Sequence, residues 1–396
     1  MKIVNITNEH LLSHRYGWHK IIYELSNNIN SDIILVDFMD KYFNLWFEFK
    51  KQIKYNKFIY KLQNNNEDTS KEFIFMNKDA YYHINDIEKS DVFIYTDKIG
   101  IYHIFKWYPE FNDFKLMKGA IIQHFKKKIT SNSIDKPWIG IIHYPEFTKE
   151  MNYESFESIP NILQSNTFKE SYKYCRGIIT LSYFLKIYLQ KNLIDYEYNI
   201  PISVLYHPTN FSCKLFNFKY FIANKNKKII QIGFWMRKMN TIYNIKTDKF
   251  IKYWLPGGSY WREMFNQIYP NHQEYYNDKS IIIKMYLNDN EYDTLLSENI
   301  ALIDIFNSSA NNTVLECIAR NTPLLATYHP AIVEYLGEDY PLYFKSIDEL
   351  NNIINSDTFI SKIKLSYNYL LNMNKDNFKL SSFIKGFNNI LITIDK

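Results

Sequence analysis

The sequence predicts an α/β protein built from two doubly wound parallel-sheet domains. Short apolar runs recur along the chain, segments with helical spacing fall between them, and a polar stretch near the middle divides the runs into two sets. At 396 residues the chain is long enough for two domains, each with its own core.

Taken in order, Ile3–Thr7 is short and apolar enough for a strand, Trp18–Asn27 has helical spacing, and Asp32–Val36 returns as a strand. Further strands are expected at Val92–Tyr95, Trp138–His143, Gly177–Ser182 and Ile202–Tyr206. Pro208–Lys228 reads as a loop that turns polar toward its end. A second set follows at Ile229–Phe234, Ile281–Met285, Ala301–Phe306 and Pro323–Ala326. The expected divisions are a first domain over 1–208, a linker over 209–227, a second domain over 228–370 and a tail over 371–396, helical at Ser381–Ile394.

Composition excludes several classes. With 47 basic and 42 acidic residues the net charge is +5, too balanced for a nucleic-acid binder. Cys175, Cys213 and Cys317 are odd in number and far apart, which points away from a disulfide framework or a zinc site and toward a reducing compartment. The opening Met1–Ile6 reads as a strand rather than a signal peptide, and no apolar run approaches the roughly 18 residues of a membrane span. The expectation is a soluble, cytoplasmic protein. Lys41–Leu62 stands apart, because Trp46, Phe49 and Ile53 could share a helix face flanked by lysines. It suits either a core-packed helix or peripheral contact with an anionic membrane. No GxGxxG fingerprint is present, which argues against a nicotinamide dehydrogenase.

The most informative stretch is Ser308–Glu316. It joins the run Ala301–Phe306 to a helix over Thr313–Arg320, which Asn321-Thr322-Pro323 stops before the return strand. In such βαβ units ligands bind beyond the strand's carboxyl end, where free helix N–H groups and the helix dipole favour an anion. Ser308, Ser309, Asn311, Asn312 and Thr313 add small polar groups there, and Glu316 lies within the helix's first turn.

Asn312–Pro323, with Leu324–Thr327 and Ala331–Gly337, resembles the nucleotide-sugar segment of the GT-B glycosyltransferases. The resemblance implies two Rossmann-like domains facing each other across a cleft, with the tail helix packing back on the first domain. It also implies a nucleotide-diphosphate sugar donor, with Glu316 on the donor ribose and Ser309, Asn311, Asn312 and Thr313 near its phosphates and sugar. The family usually carries a second glutamate eight positions earlier, on the donor sugar; here that position is Ser308. Arg237-Lys238, after the strand Ile229–Phe234 and the turn at Gly233, matches the pair with which the family neutralises the donor diphosphate. Only five of the 47 basic residues are arginines, so a retained Arg237 suggests a need for the planar guanidinium. A solvated loop pair is the bland alternative.

His143 ends the run Trp138–His143 and could take an acceptor proton or bind the donor sugar, with Glu146 the nearest carboxylate if a base is needed. Equally, His143 could be a satisfied structural histidine. Gly17, beside Arg15 in the first loop, permits close backbone approach to a donor. No Asp-x-Asp at a strand end and no cluster of metal-ligand spacing is found, so neither a metal nor a resident cofactor is expected. The implied activity is glycosyl transfer from a nucleotide-diphosphate sugar to a glycan, lipid-linked or protein acceptor. A nucleotide-sugar epimerase and a non-catalytic sugar-nucleotide-binding protein are the alternatives. Retention is the default from the paired-glutamate families; with Ser308 in place, inversion with His143 or Glu146 as base stays open.

Overall fold

The structure is a computed structural model. It describes residues 137–146, 148, 151, 159–257, 261–271, 278–285 and 287–394, positions 21, 24, 25, 28 and 275, and the backbone of 2–4, 34–37, 59–60, 71–72, 92–96, 101–106 and 124–126. Gly17 and most of Lys41–Leu62 lie outside these residues. Within Lys41–Leu62, Ile59–Tyr60 is a strand rather than part of a helix.

The strands run in chain order as β1 (Lys2–Val4), β2 (Ile34–Asp37), β3 (Ile59–Tyr60), β4 (Lys71–Glu72), β5 (Val92–Thr96), β6 (Ile101–Lys106), β7 (His124–Lys126), β8 (Trp138–Ile142), β9 (Cys175–Thr180), β10 (Ile202–Val204), β11 (Lys228–Ile232), β12 (Ile251–Leu255), β13 (Ile281–Ile283), β14 (Ile300–Ile303), β15 (Leu324–Thr327) and β16 (Tyr343–Phe344). Two parallel sheets dominate: β1-β2-β8-β9-β10, and β13-β12-β11-β14-β15-β16.

The strand expected at Val92–Tyr95 does not join the first parallel sheet. It pairs antiparallel with β6, which pairs with β7. Only residues 97–100 separate β5 from β6, and a parallel partner needs a crossover of a dozen or more residues. Strand β12 has no counterpart among the expected strands, because Lys252 interrupts its apolar run. In the fold the Lys252 ammonium lies 3.8 Å from the Asp278 carboxylate.

Strand β8 shows why the first sheet is buried on both faces. Its alternate residues Trp138 and Ile142 pack with Leu185, Leu189 and Leu193 of helix α1 (Tyr183–Asp195). Between them, Ile139 and Ile141 face the other way, against Phe383, Phe387 and Leu391 of the tail helix. The chain's last helix thus covers a sheet formed more than 170 residues earlier, at roughly 1.5–3 kcal/mol for each large side chain fully buried.

The stretch Pro208–Lys228 is more ordered than its composition suggests. Asn217 accepts the amides of Lys219 and Tyr220 and starts the short helix α2 (Phe218–Ala223). Phe216 and Phe221 bury against the second sheet.

Helix α3 (Asp289–Ser297) precedes β14, and α4 (Asn312–Arg320) follows it. The Asn311 side chain accepts the amides of Thr313 and Val314, and Asn321 ends α4 with φ 59°, a left-handed conformation asparagine tolerates. Helix α5 (Pro330–Leu336) is followed, after the 14-residue helix Phe359–Asn372, by the tail helix α6 (Leu380–Ile394). Among the described residues, no helix is long and apolar enough to cross a membrane.

Candidate functional site

Chain order within the second sheet reverses between β11 and β14, which lie side by side at its centre. At such a switch point the loops leaving the two strands diverge and open a crevice beyond their carboxyl ends. Arg237 and Lys238 lie in the loop after β11. Asp304 and the run Asn307–Asn311 follow β14.

The β11 loop turns at Gly233, whose φ of 85° suits glycine. Gly233 donates to the Leu255 carbonyl at 2.7 Å and accepts the Trp254 indole N–H at 3.1 Å. A Cβ on Gly233 would lie 3.4 Å from Arg237 Nε, so the guanidinium rests against this turn. Arg237 Nη1 donates to the Trp235 carbonyl at 2.9 Å. Its Nε is buried without a hydrogen-bond partner among the described residues, and no carboxylate pairs with the group there. Burial alone pushes its pKa down to about 10, which leaves it charged at neutral pH.

Lys238 is held differently. Its amide donates to the Asp304 carbonyl at 2.9 Å, and its ammonium lies 3.5 Å from Asp304 Oδ1. Asp304 is buried and also accepts the hydroxyls of Thr241 and Thr327, each at 2.8 Å. The two loops are stitched together, with Arg237 bridging Ile305 and the Phe306 amide donating to the Met236 carbonyl at 3.0 Å. From the next loop, His329 feels the Lys238 charge. Burial first, then that charge, pushes the His329 pKa down to about 4.

The residues named from the β14 loop divide by role. Asn311 caps α4, so its side-chain oxygen faces the helix rather than a ligand. Ser308, Ser309 and Thr313 are buried, whereas Asn312 is exposed. Ser309 Oγ sits 3.4 Å from Ser182 Oγ, the cap of α1. Glu316 is buried on α4, where one carboxylate oxygen accepts the Tyr292 hydroxyl from α3.

His143 and Glu146 reach the same junction from the first sheet. The His143 ring stacks on Tyr144 at 4.8 Å, and Tyr144 meets Trp235 of the β11 loop edge to face at 6.0 Å. Glu146 is exposed, and its carbonyl accepts the Asn307 side-chain amide at 3.0 Å. Its carboxylate faces the Tyr188 phenol; burial first, then that charge, raises the phenol's pKa. Behind them His207 is buried with Nδ1 2.7 Å from the Pro208 carbonyl, and burial pushes its pKa down to about 4 against that hydrogen bond.

Sequence reasoning missed four contributors. Asp304 was visible as an acid in an apolar run. Ser182 is legible as the cap of α1, but its contact with Ser309, like the roles of Tyr292 and Glu334, carries no local signal, because those partners come from other parts of the chain. Glu334 receives the amides of Tyr183 and Phe184, at the start of α1. Among the described residues, no group of three or more His, Cys, Asp or Glu side chains could hold a metal.

No protein-family model matches the chain, and no curated protein sequence matches it. Solved structures do. The chain is similar to the sucrose-phosphate synthase from Thermosynechococcus elongatus, at 12% identity and a TM-score of 0.50, over 65% of this chain and 67% of that one. It is also similar to Anabaena Alr3699/HepE in complex with UDP-glucose, at 12% identity and a TM-score of 0.49, over 65% and 72% of the two chains. A third is the α,α-trehalose-phosphate synthase (UDP-forming) from Burkholderia vietnamiensis, at 9% identity and a TM-score of 0.47, over 66% and 70%. With its two parallel sheets and the strand reversal at β11 and β14, the chain has the GT-B glycosyltransferase fold.

Proposed function

We propose that the protein is a glycosyltransferase that uses a nucleotide-diphosphate sugar and needs no metal. One observation carries this reading: the Arg237 guanidinium, with a buried Nε, lies at the switch point without an acidic partner among the described residues. A buried charge without a partner is costly, and a diphosphate supplies one. As the glycosidic bond breaks, the leaving diphosphate gains negative charge. A fixed cation there lowers the barrier more than it tightens the ground state. Lys238, partly neutralised by Asp304, adds a second cation held in place by the protein.

Glu316 on the ribose, and Ser309 and Thr313 near the phosphates or sugar, complete the donor side. His143 is the residue assigned to proton transfer at the acceptor. Glu146 is the alternative base, since Asn307 holds its backbone carbonyl and not its carboxylate. The acceptor is a glycan, a lipid-linked sugar or a protein.

Thermal shift with UDP, GDP and ADP tests the reading. At about 100 times Kd a bound nucleotide stabilises by about 2.7 kcal/mol. Arg237→Ala should weaken the nucleotide that binds by about tenfold or more. If none of the three raises the melting temperature, or Arg237→Ala leaves Kd unchanged, the reading fails. Donor turnover without acceptor would favour the epimerase, and binding without turnover the non-catalytic protein, for which Ser308 is the specific support.

A further inference from the structure

Glu316 is 94% buried, yet only one of its two carboxylate oxygens is engaged within the protein. The Tyr292 hydroxyl donates to Oε2. Among the described residues no group donates to Oε1. Arg320, one turn further along α4, is the obvious cation to complete the carboxylate, but it is committed elsewhere. Its Nε donates to Asp293 Oδ1 at 2.9 Å with Nη2 on the same oxygen, and its Nη1 goes to the Glu316 backbone carbonyl at 3.3 Å. Burial opposes the Arg320 charge, but Glu316 and Asp293 together outweigh it and raise its pKa. Asp293 is in turn filled on its other oxygen by the Lys214 amide at 3.3 Å.

Neighbouring residues of α3, Tyr292 and Asp293, therefore split the work. Asp293 holds Arg320 away from the carboxylate, while Arg320 lies over the Tyr292 ring at 5.5 Å and backs it. Tyr292 itself is 1% exposed and has little room to turn.

We propose that Tyr292 is a positioning residue for Glu316. It takes Oε2 and directs Oε1 to the ribose hydroxyls of the bound nucleotide, so that the ribose is held through one carboxylate oxygen. This rests on the nucleotide reading above. Oε1 is not among the buried side-chain atoms that lack a partner, so the oxygen that Tyr292 leaves unengaged is the one a ligand can reach.

The test compares UDP, GDP and ADP with their 2′,3′-dideoxy forms by calorimetry on the full chain. The wild type should bind the ribose form of its preferred nucleotide about tenfold more tightly than the dideoxy form, as expected for a hydrogen bond to a charged acceptor. Tyr292→Phe keeps the volume and should bring that ratio below about threefold by affecting the ribose form alone. A purely structural role would weaken both forms equally and leave the ratio unchanged, which overturns the proposal, as does a wild type that ignores the ribose hydroxyls. Should Tyr292→Phe fail to fold, Glu316→Gln makes the same test. Its amide oxygen can still accept from Tyr292 while an N–H₂ replaces Oε1, so the ratio should fall at an unchanged melting temperature. A preserved ratio refutes the assignment. If no nucleotide binds the wild type, the nucleotide reading itself fails, which is a different result from a preserved ratio.

Discussion

Glu334 accepts the backbone N–H of Tyr183 at 2.7 Å, although the two residues lie 151 positions apart. Its second oxygen takes the Phe184 amide at 3.1 Å, so one carboxylate fills two of the free donors at the start of α1. The Tyr335 hydroxyl, beside it on α5, reaches the Leu181 carbonyl and receives the His207 amide. Together with Ser182–Ser309 and Asn307–Glu146, these contacts tie the two parallel sheets together beside the candidate site.

Glu334→Ala should therefore cost about 1–3 kcal/mol, the penalty of uncovering helix-end donors, and Glu334→Gln less, because its amide oxygen keeps one of the two bonds. Urea denaturation checks this. Equal stabilities for both variants and the wild type would show that the clasp contributes nothing.

Acid should weaken the fold well above the range where carboxylates titrate. His207 and His329 both have folded pKa values pushed down to about 4, against an ordinary value of 6.5. Between those values the unfolded chain binds protons that the folded protein refuses, so stability is full above pH 6.5 and falls as pH drops toward 4. The expected loss is up to about 1.4 kcal/mol per pH unit for buried His207, and less for the more exposed His329. His329→Asn keeps a cap for α5, because His329 Nδ1 now accepts the Ala331 amide. It should flatten the slope of melting temperature against pH between 6.5 and 4. An unchanged slope would remove His329 from the account.

The tail helix should prove part of the first core. Phe387 is fully buried on α6, and Phe387→Ala should cost about 3–5 kcal/mol. Ile392, on the same helix but 59% exposed, provides the comparison, and Ile392→Ala should stay within about 0.5 kcal/mol. Similar melting temperatures for the two variants would mean that the helix does not hold the sheet.

Much of this fold was legible because parallel strands buried on both faces leave nearly unbroken apolar runs, as at Trp138–Ile142 and Ile300–Ile303. β12 was hidden because Lys252 finds Asp278 only after folding. β5 was legible as a strand, but a run of apolar residues does not say which partner it will take. Within the candidate site, Arg237, Lys238 and Glu316 were singled out from their places after strands together with the resemblance to the GT-B glycosyltransferases. Asn311 was read as a donor to a ligand; the fold uses its side-chain oxygen for the helix cap, and donation would fall to its amide N–H₂.

By itself, the sequence determined the strand–helix alternation, the turn at Gly233, the capped helix after Asn311 and the presence of cations and a carboxylate near strand ends. Each depends on residues within about one turn or one strand of each other, where periodicity and backbone preference act directly. The tertiary structure decided which charges were neutralised and which were left open. Lys238 acquired Asp304, Arg320 acquired Asp293, and Glu316 acquired Tyr292 on one oxygen, whereas Arg237 kept no acidic partner among the described residues. Those pairings join residues up to 66 positions apart, and the strand order of the second sheet brings them together.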